Sequence, residues 1–414
     1  MRVSRGTGTN GGPEPTPKHP AMHSSSTRRQ FLASGLSLPL AAGVASSPAT
    51  SALEMGRGKS LLVLGGTRFL GPAIVNAALE RGYEVTLFNR GKSNPHLYPE
   101  LEKLRGDRDT SDLSALEGRK WDMVIDPSCY LPSHAGEMAE LLRDNVEHYV
   151  LISTISVYQT PAEFVGDEDT PVIPISDEDV AKVTKIGDVM RVGGGAFYGP
   201  LKALCEEEIE AAMPGRLTSF RPGVIAGRDD PSDRLPYWVV RVAQGGEILC
   251  PLPVDQGVQF TDARDLGIAS VEFGAERKAG IFNAAGFDGK VTLQELVHGC
   301  KIVLGTDCSF TWASEKFLLE NQVRAFSELP FWLPRDHTHH YSNAKVLAAG
   351  MKFRPIAETI TDTWDWHIEE RGADYKWRYY GMQPEREVEL LEKWHATQTP
   401  EDVEEVEEEE GSED

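Results

Sequence analysis

Tyr198-Gly199-Pro200-Leu201-Lys202 sets a phenol and an ammonium four residues apart, the spacing that brings two side chains to one face of a helix. A free phenol ionises only near pH ~10, but a neighbouring positive charge favours phenolate and lets it exchange a proton with an alcohol at neutral pH. Upstream, Val150-Leu151-Ile152 reads as a buried strand running into Ser153, Thr154 and Ser156 before Val157-Tyr158. Thr154 is the candidate to hydrogen-bond the same substrate oxygen as Tyr198, and Ser156 is a candidate substrate contact. Moving the carbon-bound hydrogen of that alcohol needs a hydride carrier, which side chains do not supply.

The elements that must position this chemistry begin at Lys59. Ser60-Leu61-Leu62-Val63-Leu64 is an apolar run of strand length, Gly65-Gly66-Thr67-Arg68-Phe69-Leu70-Gly71 a glycine turn, and Ala73–Leu79 has helical spacing. Gly82 ends that helix and Glu84–Phe88 reads as the second strand, completing a βαβ unit of the kind that binds dinucleotides. Further strands are predicted at Asp122–Ile125 and Tyr149–Ser153, with an amphipathic helix near Ala135–Leu142. The predicted fold class is α/β: a Rossmann doubly wound parallel sheet with a smaller C-terminal substrate-binding α/β region.

Backbone amides approach a pyrophosphate where side chains are absent, and a helix N-terminus favours its charge. Gly65 and Gly71 occupy the outer glycine positions of the turn, whereas Arg68 stands in the middle one. Arg68 either adds a charge-assisted contact to phosphate or blocks the usual approach, and the first reading is preferred. Thr67, Phe69 and Leu70 complete the expected cofactor loop, with Ser153, Tyr198 and Lys202 at the other end of the cofactor. At the end of the second strand Asn89 and Arg90 replace the carboxylate that usually holds the adenosine ribose. Arg90 and Lys92 suit a ribose 2′-phosphate, so NADP is favoured over NAD. Asp107, after the third strand, is the expected partner of the adenine amino group.

Together with Phe220–Gly227 and Gln259–Leu266, these segments resemble the extended short-chain dehydrogenase/reductase superfamily, especially its NAD-dependent epimerase/dehydratase group, over about residues 59–370. The glycine loop and Val85–Lys92 look most like an atypical bacterial subgroup, and the loop also resembles the chloroplast stem-loop RNA-binding relatives. The resemblance implies an NAD(P) cofactor, Thr154 at the catalytic Ser/Thr position, and Tyr198 and Lys202 as the proton-transfer pair. It also places Trp238, Arg234 and Gln259 in the region that shapes the substrate pocket. Arg234 suits an anionic or polyhydroxyl substrate, although a surface ion pair is an equal reading. The insert between Tyr158 and Tyr198, with acidic Asp167–Asp169 and Asp177–Asp179 and the hinge Gly193-Gly194-Gly195, is long enough to form a lid.

Composition bounds the alternatives. The 414 residues carry net charge −22; residues 1–57 hold six Lys/Arg against two Asp/Glu, residues 401–414 hold ten acids and no base, and residues 58–400 therefore carry −16. An acidic body without a basic stripe argues against nucleic acid as a partner. Thr27-Arg28-Arg29-Gln30-Phe31-Leu32 and the short apolar stretch after it resemble a twin-arginine export signal, so residues 1–57 are expected to be a leader, with Met1 or Met22 as the start. That reading implies the twin-arginine translocase as a transient partner and a periplasmic or extracellular destination; without the signal the protein would be cytoplasmic. The stretch Phe31–Ala45 is too short to span a bilayer, and no stable membrane anchor is expected.

The domain reading is then a leader over 1–57, the NAD(P)-binding domain over 58–222, a partly interleaved substrate region over 223–395, and an acidic tail over 396–414. The five cysteines suggest no disulfide framework. No metal is expected at Asp336-His337-Thr338-His339-His340, and Trp364 and Trp366 read as packing; a homodimer is left open. Outside the cytoplasm free cofactor and nucleotide sugars are scarce, which favours a redox-neutral epimerase or dehydratase that keeps its cofactor tightly bound. The expected substrate is a small molecule, a sugar or sugar derivative with a secondary alcohol. The alternative of a different class is a non-catalytic or RNA-binding Rossmann protein.

Overall fold

The structure is a computed structural model that describes residues 55–159, 164–287, 289–334, 339–372 and 374–397. The twin-arginine segment and the acidic residues 401–414 lie outside the described residues, as does most of Asp336–His340. Among the described residues no helix is long and apolar enough to cross a membrane.

Seven strands form one parallel sheet: β1 (Ser60–Leu64), β2 (Glu84–Asn89), β3 (Glu102–Arg105), β4 (Trp121–Asp126), β5 (Val146–Ile152), β6 (Leu217–Pro222) and β7 (Gly280–Ala284). Their spatial order is β7-β6-β5-β4-β1-β2-β3, all neighbours parallel. The order reverses between β1 and β4, the switch point where doubly wound sheets bind ligands beyond the strand ends.

Alternation along β1 shows why the sheet needs cover on both faces. Leu61 and Val63 join a core with Ile74, Val75, Leu266 and Phe273, whereas Leu62 and Leu64 join a separate core with Met138, Leu142, Cys205 and Ile209. The first face is covered by α1 (Leu70–Glu80), with α5 (Ala263–Ala275) packed on it; the second is covered by α2 (Pro132–Leu142) and α3 (Tyr198–Ala212). Helix α3 carries both Tyr198 and Lys202.

The chain leaves the sheet after β6 and returns to it. Val224–Ala226 pairs in parallel with Phe260–Asp262, α5 then crosses beside α1, and β7 closes the edge next to β6. The Rossmann sheet therefore includes residues well past 222. Between and after these segments, α4 (Arg234–Ala243), α6 (Leu293–Leu304), α7 (Ile356–Glu370) and α8 (Pro384–Thr397) surround a third core containing Trp238, Leu249, Leu296 and Trp332. Trp238 is fully buried and donates its indole N–H to the Pro330 carbonyl, so it is core rather than pocket wall. Both ends of the body extend beyond the predicted boundaries. Met55 packs on the first core and the Gly56 amide donates to Arg81, while α8 buries Leu390 and Leu391 and continues to Thr397.

Two buried contacts fix α3. Glu206 accepts from Arg221 at 2.5 and 3.0 Å and from Ser219 at 2.8 Å, joining the helix to β6. At its start, Gly199 packs so closely on the turn after β5 that an added Cβ would lie 1.8 Å from the Ser156 carbonyl oxygen. Gly199→Ala must push α3 off that turn and is expected to lower stability by about 1–3 kcal/mol. Urea unfolding measures it, and an unchanged midpoint would show that the helix start is not held there.

Candidate functional site

At the β1–β4 switch point the strand ends, the glycine turn and the insert enclose a cavity of about 610 Å³. That lies within the range usual for small-molecule and cofactor sites. Of the residues predicted for the site, Gly65, Thr67, Arg68, Phe69, Leu70, Asn89, Arg90, Asp107, Ser153, Tyr198 and Lys202 all line it. Gly71, Thr154, Ser156, Arg234 and Gln259 do not.

The glycine turn is built for close approach. Gly66 has φ +87°, and a Cβ on Gly71 would come within 2.7 Å of the Gly66 carbonyl carbon. Helix α1 starts there without a side-chain cap and without an acidic residue in its first turn; the Gly71 amide donates to the Arg68 carbonyl at 2.9 Å, and the positive dipole end is left for an anion. The turn is braced from β2. The Asn89 carboxamide donates to the Gly65 carbonyl at 2.8 Å while its oxygen accepts from the Gly91 amide at 2.9 Å and from Arg105. Thr67 donates to the Ser93 carbonyl at 2.8 Å, and Asn94 donates to the Thr67 carbonyl at 2.9 Å. A carboxylate at 89 has no hydrogen to give Gly65, which accounts for the amide in a place where acids are usual.

Arg90 and Asp107 face each other loosely, 4.0 Å apart, with the Arg90 side chain 45% exposed. Asp107 also caps the turn Arg108–Thr110 through the Asp109 amide. Below them lies a buried network: Arg108 pairs with Asp126 at 2.7 Å and donates to the Ser128 carbonyl and hydroxyl, and Tyr149 donates to Asp126 at 2.9 Å. Arg108 and Ser128 are cavity residues that the sequence reading missed; a lone Arg after an Asp and a Ser in a loop carry no distinguishing spacing.

At the far end Lys202 is almost fully buried, and its ammonium donates to the Cys129 and Ile152 carbonyls at 2.5 Å each. One donor remains. Burial alone would lower the Lys202 pKa, but the Tyr198 phenol and the Cys205 and Cys129 thiols outweigh it and hold the value above that of an ordinary lysine. Tyr130, also missed, lies with its ring 5.4 Å below this ammonium and 6.2 Å from the Tyr198 ring, and burial raises its pKa. Ser153 is buried with an Oγ that has no hydrogen-bond partner among the described residues.

The other predicted contacts have structural roles here. Thr154 accepts from the Ser156 amide at 3.1 Å and donates to the Ser156 hydroxyl at 3.2 Å, capping the turn Ile155–Val157. Gln259 pairs at both ends of its amide with the Tyr341 backbone, at 2.8 and 2.9 Å, which occupies it away from the cavity. Arg234 donates to Ser232 and lies over the Tyr380 ring at the start of α4. The insert contributes Ile186, Val189 and Met190 to the cavity wall, and the Ile186 amide is tied to Asp109 at 2.9 Å. Trp366 packs under Arg371. Among the described residues no group of three or more His, Cys, Asp or Glu could hold a metal ion.

No protein-family model matches the chain. Among curated proteins it is 25% identical over 259 residues to the chloroplast stem-loop binding protein of 41 kDa b of Arabidopsis thaliana. That alignment covers 58% of this chain and 62% of the relative, so the chain spans about three fifths of the relative's length. Among solved structures, UDP-glucose 4-epimerase is similar with TM-score 0.56 and 17% identity, over 77% of this chain and all of that one. The UDP-glucuronic acid 4-epimerase of Bacillus cereus, solved with NAD, gives 0.53 and 15% over 77% of this chain and 99% of its own. WbmH of Bordetella bronchiseptica, solved with NAD+, gives 0.55 and 16% over 76% and 99%. At these identities the likeness is one of fold: the chain has the Rossmann α/β architecture of the epimerase structures.

Proposed function

We propose that the protein is an NAD(P)-dependent epimerase, dehydratase or oxidoreductase of the extended short-chain dehydrogenase type, acting on a secondary alcohol of a sugar or sugar derivative. The observation that carries this reading is that one cavity joins an uncapped glycine-turn helix start to Tyr198 and Lys202. The residues present fit a dinucleotide. The α1 amides and Arg68 would hold its phosphates, Arg90 and Asp107 its adenosine end, and the orphaned Ser153 hydroxyl with the remaining Lys202 donor its nicotinamide end. Bound there, a nicotinamide would accept or return the hydride.

Tyr198 then takes the alcohol proton on its phenolic oxygen as the carbonyl forms and returns it in the reverse direction. The Lys202 ammonium, fixed by the Cys129 and Ile152 carbonyls, keeps a positive charge one turn along the same helix without moving itself. Thr154 serves the substrate oxygen only by turning its hydroxyl away from Ser156. Export through the twin-arginine pathway rests on Arg28-Arg29 with Phe31 and Leu32, and folded export with a bound cofactor suits a redox-neutral reaction. The named Arabidopsis relative raises RNA binding, but the −16 carried by residues 58–400 opposes it.

Protein purified without added nucleotide is expected to carry NAD or NADP, identified by mass and absorbance after denaturation. A folded preparation that contains neither and binds neither on titration would overturn the proposal.

Arg90→Ala is expected to weaken NADP more than NAD, because only the 2′-phosphate offers that guanidinium a charged partner. Calorimetric titration of both cofactors decides; equal losses remove the preference for NADP.

Tyr198→Phe keeps the ring and removes the hydroxyl, so cofactor affinity should persist while turnover falls by roughly 10²–10⁴. Screening sugars and polyols for a change in bound-cofactor absorbance provides the assay. Reduction as fast as in the parent would refute the proton-transfer role.

A further inference from the structure

A second cavity, of about 400 Å³, shares Arg68 and Pro231 with the first. Its other walls come from the chain at and beyond the end of α7: Glu370, Arg371, Tyr375, Arg378 and Tyr379. This segment is anchored. Arg371 pairs with buried Asp233 at 2.7 Å and donates to the Asp230 carbonyl at 2.9 Å, Tyr375 donates to Asp233 at 3.2 Å, and the Arg378 amide also donates to Asp233 at 3.2 Å. Asp233 thus neutralises Arg371 and sets the path of the backbone through Arg378.

Two guanidiniums in the cavity have no such partner. Neither Arg68 nor Arg378 forms an ion pair with a described carboxylate; both are exposed, and Arg378 lies 5.9 Å over the Tyr375 ring. Glu370, exposed on the wall, is a single opposing charge. Arg68 and Arg378 thus bring two positive charges to one cavity of a chain whose net charge is −22. Arg68 belongs to the glycine turn itself, next to the first amides of α1, where the dinucleotide's diphosphate has to lie if the proposed function holds.

We propose that Arg378, carried by the segment 374–379, joins Arg68 in a two-arginine clamp on the cofactor's diphosphate and so retains the cofactor. The inference rests on the reading of the first cavity as a dinucleotide site. Arg68 would approach the phosphates from the turn, and Arg378 from the segment that lines the second cavity together with it. A guanidinium suits this task because it offers planar paired donors to phosphate oxygens. The tight retention expected of an exported holo-protein then has a specific structural cause, a C-terminal strap lying outside the βαβ unit.

The test uses the full chain, stripped of nucleotide, with NAD, NADP and ADP-ribose as probes in calorimetry and stopped-flow dissociation. Arg378→Gln should raise the Kd for all three by a common factor of about 10–100, the range of a lost charge-assisted hydrogen bond, mainly through faster dissociation. Lys376→Gln removes the same charge from the same segment but outside the cavity, and should leave each Kd within about twofold. Thermal melts should be unchanged for both, since both side chains are exposed.

Equal effects of the two substitutions would reduce the clamp to a general field and overturn it. A loss confined to NADP would move Arg378 to the 2′-phosphate and also overturn it, as would unaltered affinity for all three probes. If the parent protein binds none of the probes, the dinucleotide reading itself fails, a result separable from failure of the clamp.

Discussion

The site hangs on one buried charge. The Lys202 ammonium sits out of water with two carbonyl partners, Cys129 at the loop after β4 and Ile152 at the end of β5. Leaving such a charge unsatisfied would cost several kcal/mol, so the loop after β4, the end of β5 and helix α3 are held in one mutual position. Tyr198 is on the same helix one turn earlier, and its placement follows from that of Lys202. The Glu206–Arg221 pair repeats the tie one turn after Lys202, fastening α3 to β6. Phenol and ammonium are therefore set by the sheet rather than by the insert.

The opposite end of the cavity is organised by amides rather than by charge. Asn89 and Thr67 tie the end of β2 and the loop after it to the glycine turn, which holds the turn open in front of α1. The residue at 89 thus serves the turn, and in the proposed function recognition of the adenosine end would fall to Arg90 and Asp107. The same division appears across the molecule, where the strand ends supply rigid polar atoms and the insert supplies the apolar wall of Ile186, Val189 and Met190.

Much of this was legible in the sequence. Apolar runs fixed in length by the strands, a glycine turn and a Tyr-Lys spacing identify β1, β2, β4, β5, α1 and the face of α3 before any coordinates. What escaped depends on contacts between distant segments. Nothing local announces that Gln259 would spend its amide on Tyr341, 82 residues away. Tyr130 and Arg108 were hidden for the opposite reason, since an isolated aromatic or arginine gains meaning only when the fold brings it to the cavity. The return of β7 to the sheet is likewise non-local, and it makes a boundary at residue 222 a boundary in sequence but not in space.

The central claim is that one dinucleotide spans the cavity from the α1 N-terminus to Lys202. A crystal structure of the full chain with NAD would test it most directly. The expected result is the diphosphate on the first-turn amides of α1 and the nicotinamide ribose within hydrogen-bond reach of Lys202 and Tyr198. Nucleotide bound elsewhere, or an empty cavity at saturating NAD and NADP, would contradict it.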